Sequence, residues 1–214
     1  MKPVNDNSDA REPDQGKLAR MMSATEGKVL LAGLGLLATY LTAVGLTSLW
    51  SSELFHSLWQ MTLTHVLGGR AAGLSHGYNE QMGFWVVVGA NLAIETFMVL
   101  LFYPLFVFSY NKLIVIKPLE ETMARARRAA ESGQAKVTKW GIPGLLVFVW
   151  FPFWMTGPLV GSVIGFLIGL KTWTNLCVVL AGTGLAILCW GVILQQIHDA
   201  LARLGPYVPV FFVG

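Results

Sequence analysis

Glu95 offers the most chemistry. It lies about twelve residues into a stretch, Phe84 to Tyr110, that carries no other charge. A carboxylate at mid-membrane costs at least ~2.5–3.5 kcal/mol on insertion scales. Such a group carries a proton, partners a cation, or persists as a protonated, hydrogen-bonded acid. Asn91 sits one turn earlier on the same face, within hydrogen-bond reach. Arg70 is the only Lys or Arg between Lys28 and Lys112. Beside Gly69 and Gly73 it reads as an anion contact or as the counter-ion of Glu95. A snorkelling interfacial arginine is the plainer alternative.

Two glycine series frame these residues. Gly69, Gly73 and Gly77 recur every fourth residue, and so do Gly157, Gly161, Gly165 and Gly169. On a helix that spacing bares one face and lets a neighbour approach closely, so packing alone accounts for it. The second series adds more. Pro152 and Pro158 interrupt the uncharged run Phe148 to Leu170, with Thr156 and Gly157 between them. Prolines and glycines at membrane depth release backbone groups from the helix ladder, and such breaks occur where backbone lines a cavity or packs on protein. Arg70, Asn91, Glu95, Pro152, Thr156, Gly157 and Pro158 are therefore the candidate contacts for a substrate or coupling ion.

Other chemistries lack their signatures. His56, His65, His76 and His198 show no metal-ligand or haem spacing and read as solvated or packed side chains, with a proton relay open for His65 or His76. Cys177 and Cys189 share one apolar helix, ~18 Å apart along its axis, too far for a disulfide. No nucleophile motif, phosphate loop or dinucleotide fingerprint appears. We expect no metal, no cofactor and no enzyme activity.

The elements that must position these groups are membrane helices. The chain has 214 residues, 54% hydrophobic and 13% charged, with a mean hydropathy of +0.58. A soluble domain is about 25% charged, so this is an integral membrane protein. It has room for about four to six segments of ~20 residues. Val29–Trp50, Phe84–Tyr110 and Thr172–Ile197 are full spans. Residues 51–61 read as interfacial. Residues 62–80 read as a re-entrant or short broken helix, and 140–170 as either one kinked crossing or a hairpin. The expected fold is all-α and polytopic: three to four transmembrane helices plus two glycine-rich re-entrant or broken helices.

The ends and loops complete this layout. Residues 1–27 form a polar tail, and 28–214 a single membrane domain. The 112–139 loop carries seven Lys/Arg against three Glu, which places it in the cytoplasm, together with the N-terminus. A helix is expected within it at Leu119–Ser132. Its charge reads as topology and lipid contact, not nucleic-acid binding. Each glycine series precedes a long span, with an offset of 88 residues from Gly73 to Gly161. Across the cytoplasmic loop this suggests two inverted repeats, with the site at their interface.

The residues also carry a resemblance. GANLAIETFMVLLFYPLF at 89–106, the basic loop, and FVWFPFWMTGPLVG at 148–161 resemble the small multidrug export family, whose fold is similar to the DedA group. Pro152, Thr156, Gly157 and Gly161 match its Pro-x-Pro-Gly-Thr-Gly pattern, with Trp154 and Met155 replacing the second Pro and the Gly. Ala90 replaces the Gly before Asn91, and Glu95 falls where the family is apolar. In LGGRAAGLSHG at 67–77, Arg70 is retained and Gly68 stands in place of an acid. The likeness covers about 63–197.

It implies a proton-coupled secondary transporter or exporter of the bacterial inner membrane, with the bilayer and a small solute or lipid substrate as partners. A second reading is a non-catalytic anchor that docks a soluble enzyme, such as a redox enzyme, through the basic loop. A homodimer is compatible with the glycine faces.

Overall fold

The computed structural model describes residues 24–110, 128, 141–151 and 157–204. Those residues form six helices and no strand: α1 (Thr25–Thr47), α2 (Ser52–Asn79), α3 (Phe84–Tyr110), α4 (Gly141–Trp150), α5 (Gly157–Leu167) and α6 (Thr172–Leu204). Pro152 and Thr156, the helix expected at Leu119–Ser132 apart from residue 128, and the terminal tails lie outside the described residues.

Three helices are long and apolar enough to span a bilayer: α1, α3 and α6, with mean hydropathies of 2.0, 2.0 and 2.4 over their most apolar windows. The last runs beyond the expected end at Ile197, through His198 and Asp199, to Leu204. Charge ends the apolar run there without ending the helix. Pro104 interrupts the ladder of α3 and cannot donate to the Leu100 carbonyl. At that point α1 crosses close by: a Cβ on Gly33 would lie 2.9 Å from Leu100 Cβ and 3.0 Å from its carbonyl carbon. Only a glycine fits this crossing, and the sequence reading did not single it out.

α2 is a helical hairpin. Its two arms meet at Gly69, whose φ of 80° and ψ of −174° lie in a region essentially restricted to glycine. Ser57 Oγ donates to Glu80 Oε2 at 3.1 Å, although the two residues would be ~34 Å apart on a straight helix. Met61 lies against Gly77, and His65 against Gly73. The first arm begins at Ser52, where Ser51 Oγ accepts from the Leu54 N–H at 3.2 Å. Residues 52–61 are thus continuous with α2 rather than a separate segment. Their polar side chains sit at the open end of the hairpin.

α4 and α5 pack against each other as the two arms of a second hairpin. A Cβ on Gly157 would lie 3.6 Å from the Val149 and Phe151 carbonyl oxygens, and one on Gly161 would lie 3.7 Å from Leu145 Cδ1 and also collide with Val149. Pro158 sits in the first turn of α5, where its missing N–H costs nothing. The helix ends in a Schellman motif. The Leu170 N–H donates to the Gly165 carbonyl and the Gly169 N–H to that of Phe166, both at 3.0 Å, with Gly169 at φ +84°. Gly169 therefore does not extend the glycine packing face. It caps the helix, because that backbone conformation is accessible to glycine at little cost.

The hairpins open at opposite ends of the bundle. Phe166 of α5 packs on Phe106 and Tyr110, ring centroids 5.8 and 5.2 Å apart. At the same end Thr172 Oγ1 donates to Glu26 Oε1 at 2.8 Å and accepts from Tyr103 OH at 3.3 Å. The start of α1 and the end of α3 thus share this end. Each hairpin has its own core. Met61, Leu74, Val87 and Ile94 surround the first, and Leu145, Val149, Ile164 and Leu176 the second. One offset of 84 residues carries Met61–Gly77 onto Leu145–Gly161, His65–Gly73 onto Val149–Gly157, and Asn91 onto Asn175. The expected offset of 88 pairs the wrong glycines, because a four-residue glycine repeat leaves the register ambiguous by four.

Candidate functional site

Arg70 follows the Gly69 break directly, so the turn that only glycine tolerates delivers the guanidinium to the tip of the first hairpin. Its Nε donates to Glu95 Oε1 at 2.9 Å and its Nη2 to Oε2 at 2.8 Å, a bidentate fork. Both partners are buried, 4% and 6% exposed. Nη1 donates to the carbonyls of Val149 at 3.3 Å and Trp150 at 3.4 Å. These belong to the last turn of α4, whose carbonyls have no partner within their own helix. One side chain thus fastens the first hairpin to α3 and to the tip region of the second hairpin. This is neither snorkelling nor an exposed contact.

A second buried chain meets the same carboxylate. Asn91 Nδ2 donates to the Val87 carbonyl at 2.7 Å, which turns its Oδ1 toward His65 Nδ1. Because Oδ1 only accepts, Nδ1 must carry the hydrogen. His65 Nε2 is left facing Glu95 Oε1 at 3.6 Å. Gly73 makes room for this arrangement, since a Cβ there would strike both Asn91 and His65. From the sequence His65 reads as solvated or packed, with a proton relay left open. Its partners are 26 and 30 residues away, and only the fold-back at Gly69 brings it to them.

The remaining candidates divide in two. Gly157 and Pro158 line a cavity of about 20 Å³ together with His65, Gly69, Arg70 and Glu95. That is room for about one water. Gly77 makes space for Met61 and Val87, Gly161 for Val149, and Gly165 for Asn175. These glycines receive side chains rather than a second helix backbone. Asn175, fully buried, donates to the Ser162 carbonyl at 2.7 Å. Like Asn91 against Gly73, it packs against a glycine, but it bonds a carbonyl of the neighbouring helix rather than of its own. An isolated asparagine in an uncharged span was the available signal for it.

Fold and site together define a polytopic helical membrane protein in which two opposed hairpins meet at a buried ion pair. The model of one family, described as "Putative small multi-drug export protein", matches residues 65–189, more than half of the chain, and the chain belongs to that family. The matched range takes in both hairpin tips, Arg70 and Glu95. No curated protein and no solved structure matches the chain.

Proposed function

We propose that this protein is a proton-coupled secondary transporter of the bacterial inner membrane, DedA-like in layout and without enzyme activity. The Arg70–Glu95 pair carries this reading. A buried ion pair adds little net stability, because the cost of desolvating two charges offsets their attraction. Its use here is positional: Glu95 holds the Arg70 side chain of the first hairpin to α3 while Nη1 reaches the α4 carbonyls of the second hairpin. Read as re-entrant segments, those hairpins meet at mid-membrane, where transporters of repeated architecture hold their sites.

A cavity of about 20 Å³ is far smaller than the ~300–1,000 Å³ of a small-molecule pocket. On this reading the structure is the occluded state. Release of Arg70 from Glu95 on one side of the cycle lets one hairpin tip withdraw and admits substrate. The basic 112–139 loop supports a cytoplasmic end for α3, an end that the start of α1 shares. The bilayer and a small solute or lipid are the partners.

The test is flux into proteoliposomes, using a panel of cationic and anionic fluorescent drugs under an imposed pH gradient. Wild type moves at least one of them, and Glu95→Gln abolishes gradient-dependent movement. Equal flux in the variant would remove Glu95 from the mechanism. The anchor reading draws on the basic loop. It would gain if neutralising Arg125, Arg127 and Arg128 released a stoichiometric soluble partner and left flux unchanged.

A further inference from the structure

We infer that a proton taken up between His65 Nε2 and Glu95 Oε1 converts Arg70 into a binding fork for an oxyanion, a carboxylate or a phosphate. This rests on the transporter reading and names the coupling site and substrate class of the same centre. The argument begins with the tautomer. Asn91 Oδ1 fixes the hydrogen of His65 on Nδ1. The Nε2 lone pair then faces a carboxylate oxygen at 3.6 Å. Two acceptors face each other across a gap that one proton turns into a donor–acceptor contact.

No other ionisable group competes for that proton among the described residues around it. The second arm of the hairpin brings Arg70, and α3 brings Glu95 itself. The second hairpin presents backbone carbonyls and Pro158. α1 contributes Tyr40, whose OH is engaged with Thr62 Oγ1 at 2.6 Å. α6 meets this half with Ile187 and Trp190.

Charge balance then selects the cargo. Without the extra proton, Arg70⁺ and Glu95⁻ cancel and His65 is neutral. A proton from bulk water raises the centre to one positive charge and weakens the hold of Glu95 on Arg70. Arg70 cannot give up its own proton, and an unpaired buried cation is costly. An entering oxyanion restores neutrality, and the Nε–Nη2 edge now on Glu95 has the geometry to receive it bidentately. A cationic cargo fails this balance, because by taking Glu95 it would leave Arg70 buried without a counter-ion. The small cavity beside the fork, lined by Arg70, Glu95, Gly157 and Pro158, marks where the anion enters once the tips part.

The experiment is equilibrium binding to the full chain in lipid nanodiscs, with proton uptake followed by a pH indicator in weak buffer. Acetate and inorganic phosphate are the probes. We expect about one proton taken up per anion bound, and affinity rising by up to about tenfold per unit fall in pH, as one-proton linkage requires. Glu95→Gln, which mimics the protonated acid, binds the anion with no uptake and no pH dependence. Uptake triggered by acetate in zwitterionic nanodiscs identifies a soluble anion. Uptake seen only when phosphatidylglycerol is included identifies a lipid headgroup.

Binding without proton uptake in wild type would overturn the inference. So would its absence in every arm with Glu95→Gln folded by circular dichroism, or proton release on adding tetramethylammonium. Drug flux without anion-linked uptake would sink this inference and leave the transporter. Uptake without flux would do the reverse.

Discussion

Breaking the central pair from either side should give unequal losses. Arg70→Met removes two hydrogen bonds to Glu95 and two to the α4 carbonyls. Removing one partner of a buried pair costs ~3–5 kcal/mol, whereas replacing both by well-packed apolar residues is often neutral or stabilising. Arg70→Met leaves an acid that can take up a proton and shed its charge. Glu95→Leu leaves an arginine that cannot. We therefore expect Glu95→Leu to cost ~3–5 kcal/mol at every pH, and Arg70→Met to cost less as the pH falls. The double variant should lie within ~1 kcal/mol of wild type, giving a coupling energy of ~3 kcal/mol or more. The assay is reversible unfolding in mixed micelles followed by fluorescence of the eight tryptophans, at two pH values. Additive losses in the double variant, or an Arg70→Met loss under ~0.5 kcal/mol at neutral pH, would refute the claim that these groups form one buried unit.

Other residues carry their own tests. Gly69→Ala forces a side chain into the +80° conformation and should cost ~1–3 kcal/mol while displacing Arg70, so both melting temperature and flux should fall. Gly73→Ala drives a Cβ into Asn91 and His65; overpacking of this kind costs ~1–3 kcal/mol, and the histidine signals in a ¹⁵N spectrum should lose the fixed tautomer. Gly169→Ala, at the α5 cap, should cost only ~1 kcal/mol and leave flux intact. Ser57→Cys with Glu80→Cys, in a background without Cys177 and Cys189, should form a disulfide under mild oxidation, which gel mobility after proteolysis between the arms would detect. Failure to form would reject the hairpin, since a straight α2 holds these positions ~34 Å apart.

The sequence made some of this architecture legible and hid the rest for physical reasons. Long uncharged runs announce α1, α3 and α6, because a bilayer tolerates few charges along a span. The glycine-rich stretch 62–80 announces broken backbone, and Arg70 and Glu95 stand out as isolated charges. The pairing of the arms does not show, because glycines four apart fit two registers equally. Gly169 reads like its neighbours, since spacing says nothing of the sign of φ. Glu53 and His56 make the first arm look interfacial, but polar residues are equally at home at the open end of a hairpin. His65 shows no partner along the chain. Its neighbours come from beyond the turn, from Asn91 and Glu95.

The account turns on two hairpin tips that must part for substrate to pass. Val66 and Pro158 line the same central cavity from opposite hairpins. Replacing both with Cys, in a background without Cys177 and Cys189, and bridging them with a short bis-thiosulfonate reagent would tie the tips together. Flux in proteoliposomes should fall to the level of empty vesicles and return on reduction, while each single variant treated alike keeps transporting. Full-rate flux with the tips cross-linked would contradict the account.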